Sequence, residues 1–366
     1  MTGAPGLVEG LLTEVFGAGT TVTARGRLPG GASRETWSID AVTPAGVSRA
    51  LVLRLDSPGA TLEAGAGLAR EAALMRAAGR AGVPVPEVLA DGTTGGAAYI
   101  LMARVEGETI PRRILRRFSG LGPLLTDQCG EILAALHRMP LDPFAPGPVS
   151  APGVSGPEPA PSASGPEPAP SASGPEPAPG VSGPEPAPAA EDPLRTWRDL
   201  LDATGQPHPV FELAFRRLAA TRPDPGRTTV VHGDFRNGNL IVGPEGIRAV
   251  LDWELAHTGD PVEDLGWLCV KAWRFGSEKP VGGFGDYDRL VQAYEKAGGH
   301  PVDRDALRWW ETFGVLKWGV ICVMQAMRHL RGGAGSVELA AIGRRVCETE
   351  WDLLHHLGLR NGPSGG

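Results

Sequence analysis

Lysine is almost missing from this chain. Only Lys271, Lys279, Lys296 and Lys317 occur among 366 residues, so arginine carries nearly all the positive charge and no lysine precedes residue 271. Any fixed cation needed in the first 270 residues must therefore be a guanidinium, which stays charged and offers a planar fork of donors. A basic stripe is also lacking. The formal net charge is −7 with both signs interspersed, which argues against a nucleic-acid partner. The four cysteines, Cys129, Cys269, Cys322 and Cys347, lie far apart and offer no zinc or redox spacing. They read as reduced thiols, with a cytoplasmic location expected. The opening MTGAPGLVEG has no basic start and no apolar run, so a secretory signal is not expected. The most apolar window, Phe313 to Met327, contains Lys317 and Gln325 and is shorter than a membrane span, so a buried helix and no membrane partner are expected.

The length suffices for two lobes, each with its own core. From Ser155 to Ala190 the chain repeats SGPEPAPSA-type nonapeptides four times. Pro, Ala, Gly and Glu in that pattern bury too little surface to offset ordering entropy, so 142–191 is expected to be a disordered, partly polyproline-II insert. Before it, Thr21 to Leu28, Glu35 to Val42, Ala50 to Leu55 and Ala97 to Val105 read as strands, and Leu62 to Arg80 as a helix. After Pro111 the pattern turns helical, over Leu124 to Arg138, Pro193 to Thr204, Pro209 to Ala220, Tyr287 to Ala297, Asp303 to Met327 and Val337 to Leu357. The expected fold is α+β and bilobal: a β-rich lobe over 1–104, the start of a helical lobe over 105–141, the insert, and the rest of the helical lobe over 192–366.

One β-type island, Thr228 to Leu255, interrupts the helical half, and it reads VVHGDFRNGNLIVGPEGIRAVLDWELAHTGDPVEDLGWL through the next helix. A loop, His232 to Asn239, precedes two short strands, Leu240 to Val242 and Ile247 to Leu251, joined by the turn GPEG. A tight hairpin brings its ends together, so Asn239 and Asp252 are expected side by side. Oxygen ligands from both suit a hard cation such as magnesium. Asp234, on the same loop, can reach a hydroxyl placed beside a metal-bound phosphate. Any one of these residues alone would read as a turn former; two motifs in order with a hairpin between them are much harder to obtain by chance.

These motifs carry a resemblance. HGDFRNGN resembles the HxDxxxxN catalytic loop of aminoglycoside phosphotransferases and their protein-kinase relatives, and LDWELAHTGDPVEDL resembles the metal-binding segment that follows it. Within that family the chain is most similar to the branch related to the phosphotransferase domain fused to some acyl-CoA dehydrogenases. The resemblance implies a protein-kinase-like fold, with Asp234 as catalytic base and His232 bracing the loop. It further implies Asn239 and Asp252 as magnesium ligands, Glu254 as a further metal ligand, and Asp260 and Asp264 as supports from the next helix. It covers essentially all of the chain except the repeat.

The first lobe fits the same pattern. LPGGASRETWSI resembles the family's glycine turn, so Gly30 and Gly31 would let amides approach a nucleotide's phosphates and Ser33 would add a hydroxyl. Arg54 in ALVLRLD stands where protein kinases carry lysine, and Glu71 matches its customary partner. In YILMARVEGETI, Leu101 to Arg104 would be the hinge, with Leu101 and Ala103 presenting backbone to the adenine edge. The implied activity is ATP-dependent phosphorylation of a small-molecule hydroxyl, with GTP as the other candidate donor and Mg2+ as cofactor. The acceptor stays open between an aminoglycoside-like and a hydroxyacyl-type molecule. Residues 192–366 hold 23 acidic and 21 basic side chains, nearly balanced, which argues mildly against a polycation. IPRRILRRF places four arginines just past the hinge, where they could meet an anionic acceptor or simply form a solvated helix face. Trp309 to Met327 could wall an acceptor pocket or pack in the core. Two other readings remain, a catalytically silent nucleotide-binding module and a protein kinase; no APE-type anchor is recognisable for the latter.

Overall fold

The computed structural model describes residues 4–28, 34–56, 62–141, 192–224, 226–331 and 336–359. The nonapeptide insert and Gly30, Gly31 and Ser33 lie outside them.

The first lobe is a five-stranded antiparallel sheet in the order β1-β2-β3-β5-β4, from β1 (Thr21–Arg27), β2 (Arg34–Val42), β3 (Ser48–Asp56), β4 (Val88–Thr94) and β5 (Ala97–Ala103). A helix covers each face, and the two-residue period of the strands decides which side chain meets which helix. Leu51, Leu53 and Leu55 of β3, with Tyr99 and Leu101 of β5, pack on Val8, Leu11 and Leu12 of α1 (Ala4–Phe16). The alternate residues Ile100 and Met102 pack on Leu68, Ala72 and Met75 of α2 (Leu62–Arg80), joined by Val52. Arg54 therefore lies on the α2 face, the side that carries Glu71.

The second lobe holds α3 (Pro111–Arg117), α4 (Gly122–His137), α5 (Pro193–Thr204), α6 (Pro209–Ala220), α7 (Val262–Cys269), α8 (Tyr287–Lys296), α9 (Arg304–Leu330), α10 (Val337–Gly343) and α11 (Val346–His356). Two small sheets lie among them. One pairs β6 (Thr229–Val231) with β9 (His257–Gly259); the other is the hairpin of β7 (Leu240–Gly243) and β8 (Gly246–Val250). One core, on α4, α7 and α8, continues up to α2; a second is built around Trp267, Trp273, Trp309, Trp310 and Phe313. Full burial of each such large side chain contributes roughly 1.5–3 kcal/mol or more.

The hairpin is held under the first lobe from both sides. Glu108, on the connector between lobes, exchanges two backbone hydrogen bonds with Val242 at 2.9 and 3.0 Å, and the Val250 N–H donates to Pro84 O at 2.8 Å. The elements α1, β4 and β9 were not expected from the sequence pattern. The helix expected over Val337 to Leu357 is split after Gly343 into α10 and α11, and Gly343 packs so close to α9 that an added Cβ would sit 2.6 Å from Ala326 Cβ. The window Phe313 to Met327 lies inside α9, with Phe313, Val315, Leu316, Val320 and Val323 buried. Among the described residues no helix is long and apolar enough to cross a membrane.

Candidate active site

β6 runs directly into the loop His232–Asn239, and the loop is shaped by its neighbours on α7 and α9. Gly233 takes φ +75°, and a Cβ there would stand 2.4 Å from Leu255 O, so only glycine fits. Its N–H and that of His232 donate to Asp264, at 2.9 Å to Oδ1 and 2.8 Å to Oδ2. Asp264, in the first turn of α7, also pairs with His137 Nε2 at 3.2 Å, and His137 Nδ1 meets the Tyr294 hydroxyl at 2.9 Å. Burial alone would raise the Asp264 carboxyl, yet these hydrogen bonds and the nearby imidazoles hold it below its ordinary range. The Gly233 carbonyl accepts from the buried Lys317 ammonium at 2.9 Å. Lys317 also pairs with Glu263 Oε1 at 3.0 Å and lies 4.6 Å from the centre of the Trp267 ring. Glu263 reaches His257 Nε2 at 3.1 Å through its other oxygen. Against the effect of burial, Lys317 and His257 hold the Glu263 carboxyl down at about 2.

Asp234 is 9% exposed, and its carboxylate is oriented by three donors. Arg236 Nε and Trp267 Nε1 both reach Oδ1 at 2.9 Å; Asn239 Nδ2 reaches Oδ2 at 2.6 Å and the Asp234 carbonyl at 2.9 Å. Arg236 is itself fixed over the Trp273 ring, 4.6 Å from its centroid. His232 is fully buried against Trp253, which lowers its pKa and keeps the ring neutral. Its Nδ1 accepts the Asp234 N–H at 3.2 Å, so the ring hydrogen belongs on Nε2.

The Leu251 N–H donates to Asn239 O at 2.8 Å, closing the base of the hairpin. Asn239 thus lies directly before one strand and Asp252 two residues after the other. Asp252 takes φ 67°, uncommon for a residue with a side chain. Partial burial, then the charges of Glu254 and Asp234, raise its carboxyl above the ordinary value, against the pull of Arg54 3.7 Å away. Carboxylates that repel one another beside an amide oxygen make a donor set suited to a hard divalent cation. Among the described residues there is no group of three or more His, Cys, Asp or Glu that could hold a metal ion.

Above the hairpin lies a charge cluster centred on Glu71, which is 1% exposed. Arg54 Nη1 donates to one of its oxygens and Arg34 Nη1 to the other at 2.9 Å. Arg34 also meets Asp56 at 3.2 Å and Glu254 at 3.4 Å, so it joins β2, β3, α2 and the turn after β8. Burial still raises the Glu71 carboxyl despite both guanidinium groups.

The structure brings together His232, Asp234, Asn239 and Asp252, with Arg54 and Glu71 adjacent. Glu254 is turned to Arg34. At the expected hinge, Leu101 to Arg104, Leu101 and Ala103 are ladder residues of β5, paired with Leu53 and Leu51. The Ala103 N–H goes to Glu87 O and the Arg104 N–H to Ala50 O, both at 2.9 Å, so the chain leaves the sheet only after Arg104. Sequence reading passed over Arg34, Arg236, Trp267 and Lys317. Arg236 and Trp267 carried a faint signal, two residues after Asp234 and three after Asp264.

Comparison with known proteins follows from this geometry. A family model described as the phosphotransferase enzyme family matches residues 26–310. Acyl-CoA dehydrogenase family member 10 of Mus musculus is 27% identical over 338 residues, covering 85% of this chain and 28% of that protein. Family member 11 of Rattus norvegicus is 28% identical over 241 residues, covering 61% of this chain and 25% of that protein. The chain thus spans little more than a quarter of the length of these relatives. Among solved structures, a candidate aminoglycoside phosphotransferase of Ralstonia eutropha superposes with TM-score 0.65 at 19% identity, covering 98% of this chain and 99% of that one. Aminoglycoside phosphotransferase APH(4)-Ia, bound to ADP and hygromycin B, gives TM-score 0.54 at 18% identity, with 97% and 99% covered. At those identities the likeness shows the fold: a bilobal, kinase-like α+β architecture.

Proposed function

The chain belongs to the phosphotransferase enzyme family, and from that premise we propose that it moves the γ-phosphoryl group of ATP to a hydroxyl of a small molecule, with Asp234 as the base. The observation that carries this reading is the Asp234 carboxylate, fixed by Asn239, Arg236 and Trp267 at the mouth of the hairpin that ends in Asp252. ADP in the similar APH(4)-Ia structure supports a nucleotide donor. Hygromycin B in the same structure supports a small-molecule acceptor.

In the proposed reaction the acceptor oxygen forms a bond to the γ-phosphorus, the bond from that phosphorus to the β–γ bridging oxygen breaks, and the hydroxyl proton passes to Asp234. Phosphoryl transfer asks for alignment more than for covalent chemistry. Asp234 aligns the acceptor hydroxyl, and the three donors hold its carboxylate in one orientation. His232 fixes the loop backbone from below, and Asp264 and Lys317 anchor the backbone of His232 and Gly233 just before Asp234. Arg54, positioned by Glu71, faces the nucleotide side, where lysine stands in kinases; Gly30, Gly31 and Ser33 are the proposed phosphate turn. Magnesium held by Asn239 and Asp252 would supply charge neutralisation for the phosphate oxygens. Glu254 becomes a further ligand only on leaving Arg34.

The test is Asp234→Asn. Titration of MgATP should give an unchanged dissociation constant, while turnover falls about 10²–10⁴-fold, the usual contribution of a positioned base. Turnover within a factor of three of the parent would place the base elsewhere.

A further inference from the structure

Past the connector, the second lobe carries a groove of about 730 Å³ between α3 and the segment 275–286. The two segments that wall it each touch the loop that carries Asp234. Asn237 Nδ2 donates to Gly282 O at 2.8 Å, and a Cβ on Gly238 would touch Pro111 at 3.5 Å. Gly282 and Pro111 directly precede the lining residues Gly283 and Arg112, so both walls of the groove lead to the loop that carries Asp234.

Its lining is apolar below and cationic above. Ile114, Leu125, Phe118 and Phe284 form the apolar part. Arg112, Arg116, Lys279 and Arg289 contribute positive charge, against the single acid Asp286. Two of these cations are already engaged, Lys279 with Asp286 at 3.0 Å and Arg289 with Asp127. Arg112 and Arg116 are exposed and form no ion pair among the described residues. Two uncompensated guanidinium groups above an apolar trough repel an ammonium and attract a phosphate or carboxylate, which a guanidinium fork can bind through two hydrogen bonds.

We propose that the acceptor is an amphiphilic anion, held by this groove with its phosphate or carboxylate on Arg112 and Arg116, its apolar part on Phe118 and Phe284, and its hydroxyl toward Asp234. The inference rests on the phosphotransferase reading and narrows it, setting the chain apart from enzymes whose acceptors are polycations.

Isothermal titration of the full chain with hexyl phosphate, hexanoate and hexylamine, with and without saturating MgADP, tests it. At least one anion should bind with 1:1 stoichiometry in the presence of MgADP, and the tighter of the two identifies the head group. Hexylamine should not bind. Charge reversal at both sites, Arg112→Glu with Arg116→Glu, should weaken the anion about 10-fold or more, as expected for losing charge-assisted contacts. Affinity for MgADP should not change. If the double variant unfolds early, Lys279→Glu replaces it and should weaken binding in the same direction. No anion binding in the parent, equal binding in the variant, or preference for hexylamine overturns the proposal. A failure of MgADP to bind would count against phosphoryl transfer instead, and the titration without nucleotide would still report on the groove.

Discussion

Replacing Lys317 with methionine removes a cation from a place where nothing else can fill its role. The ammonium is 2% exposed and gives one hydrogen bond to Gly233 O at 2.9 Å and one to Glu263 at 3.0 Å. Methionine keeps most of the volume, so the loss is electrostatic and not a cavity. Glu263, itself 4% exposed, would keep only His257 as a charged partner. Breaking a buried pair from one side costs about 3–5 kcal/mol, because the stranded charge remains. His257 tempers that, since Glu263 already raises its pKa, while the unsatisfied Gly233 carbonyl adds about 1 kcal/mol or more. The net expectation is about 3–4 kcal/mol, read as the change in unfolding free energy from urea titration at neutral pH. A cycle with Glu263→Gln sharpens the test. The double variant has no stranded charge, so its cost should fall short of the sum of the singles by about 2 kcal/mol. A single-variant loss below about 1 kcal/mol, or plain additivity, would falsify the claim that this ion pair holds the His232–Asn239 loop.

Two further outcomes follow from the same contacts. Trp267→Phe keeps an aromatic ring, though a smaller one, and removes one donor to Asp234; kcat should fall about 5–10-fold, the rate equivalent of roughly one hydrogen bond, with the KM for ATP unchanged; an unaltered kcat would show that the indole N–H orients nothing. Stability should also decline on acidification. Glu263 is held at about 2, below its ordinary 4.5, so its contribution is complete above pH 4.5 and is lost as pH falls toward 2, up to about 3 kcal/mol in all. Burial holds His356 at about 4, below 6.5, so its contribution is complete above pH 6.5 and is lost as pH falls toward 4. Melting temperatures should drop progressively from pH 7 to 3; a flat profile would contradict both assignments.

What the sequence disclosed was local. Asn239, the GPEG turn and Asp252 lie within fourteen residues, and hairpin geometry alone sets their spacing. The Arg54–Glu71 pairing was legible only through the family resemblance; the structure explains it, because alternation in β3 sets Arg54 opposite Leu53 and Leu55, on the face where α2 brings Glu71. The contacts that escaped reading are long-range. Arg34 meets Glu254 across 220 positions, and Lys317 meets Gly233 across 84. No periodicity announces such pairs. Lys317 was visible only as a charge interrupting an apolar window, which is what a buried cation with a distant partner looks like in one dimension. α1 was passed over for another reason: Gly6 and Gly10 lower its helix propensity, and packing of Val8, Leu11 and Leu12 on the sheet overrides that deficit.

The Arg54–Glu71 pair has one more implication. An amine in that position could be silenced by acylation or by loss of its proton at high pH. A guanidinium undergoes neither change under ordinary conditions. The cation of this pair is therefore electrically permanent, and any change of charge at that place must come from Glu71, whose carboxyl burial raises above its ordinary value.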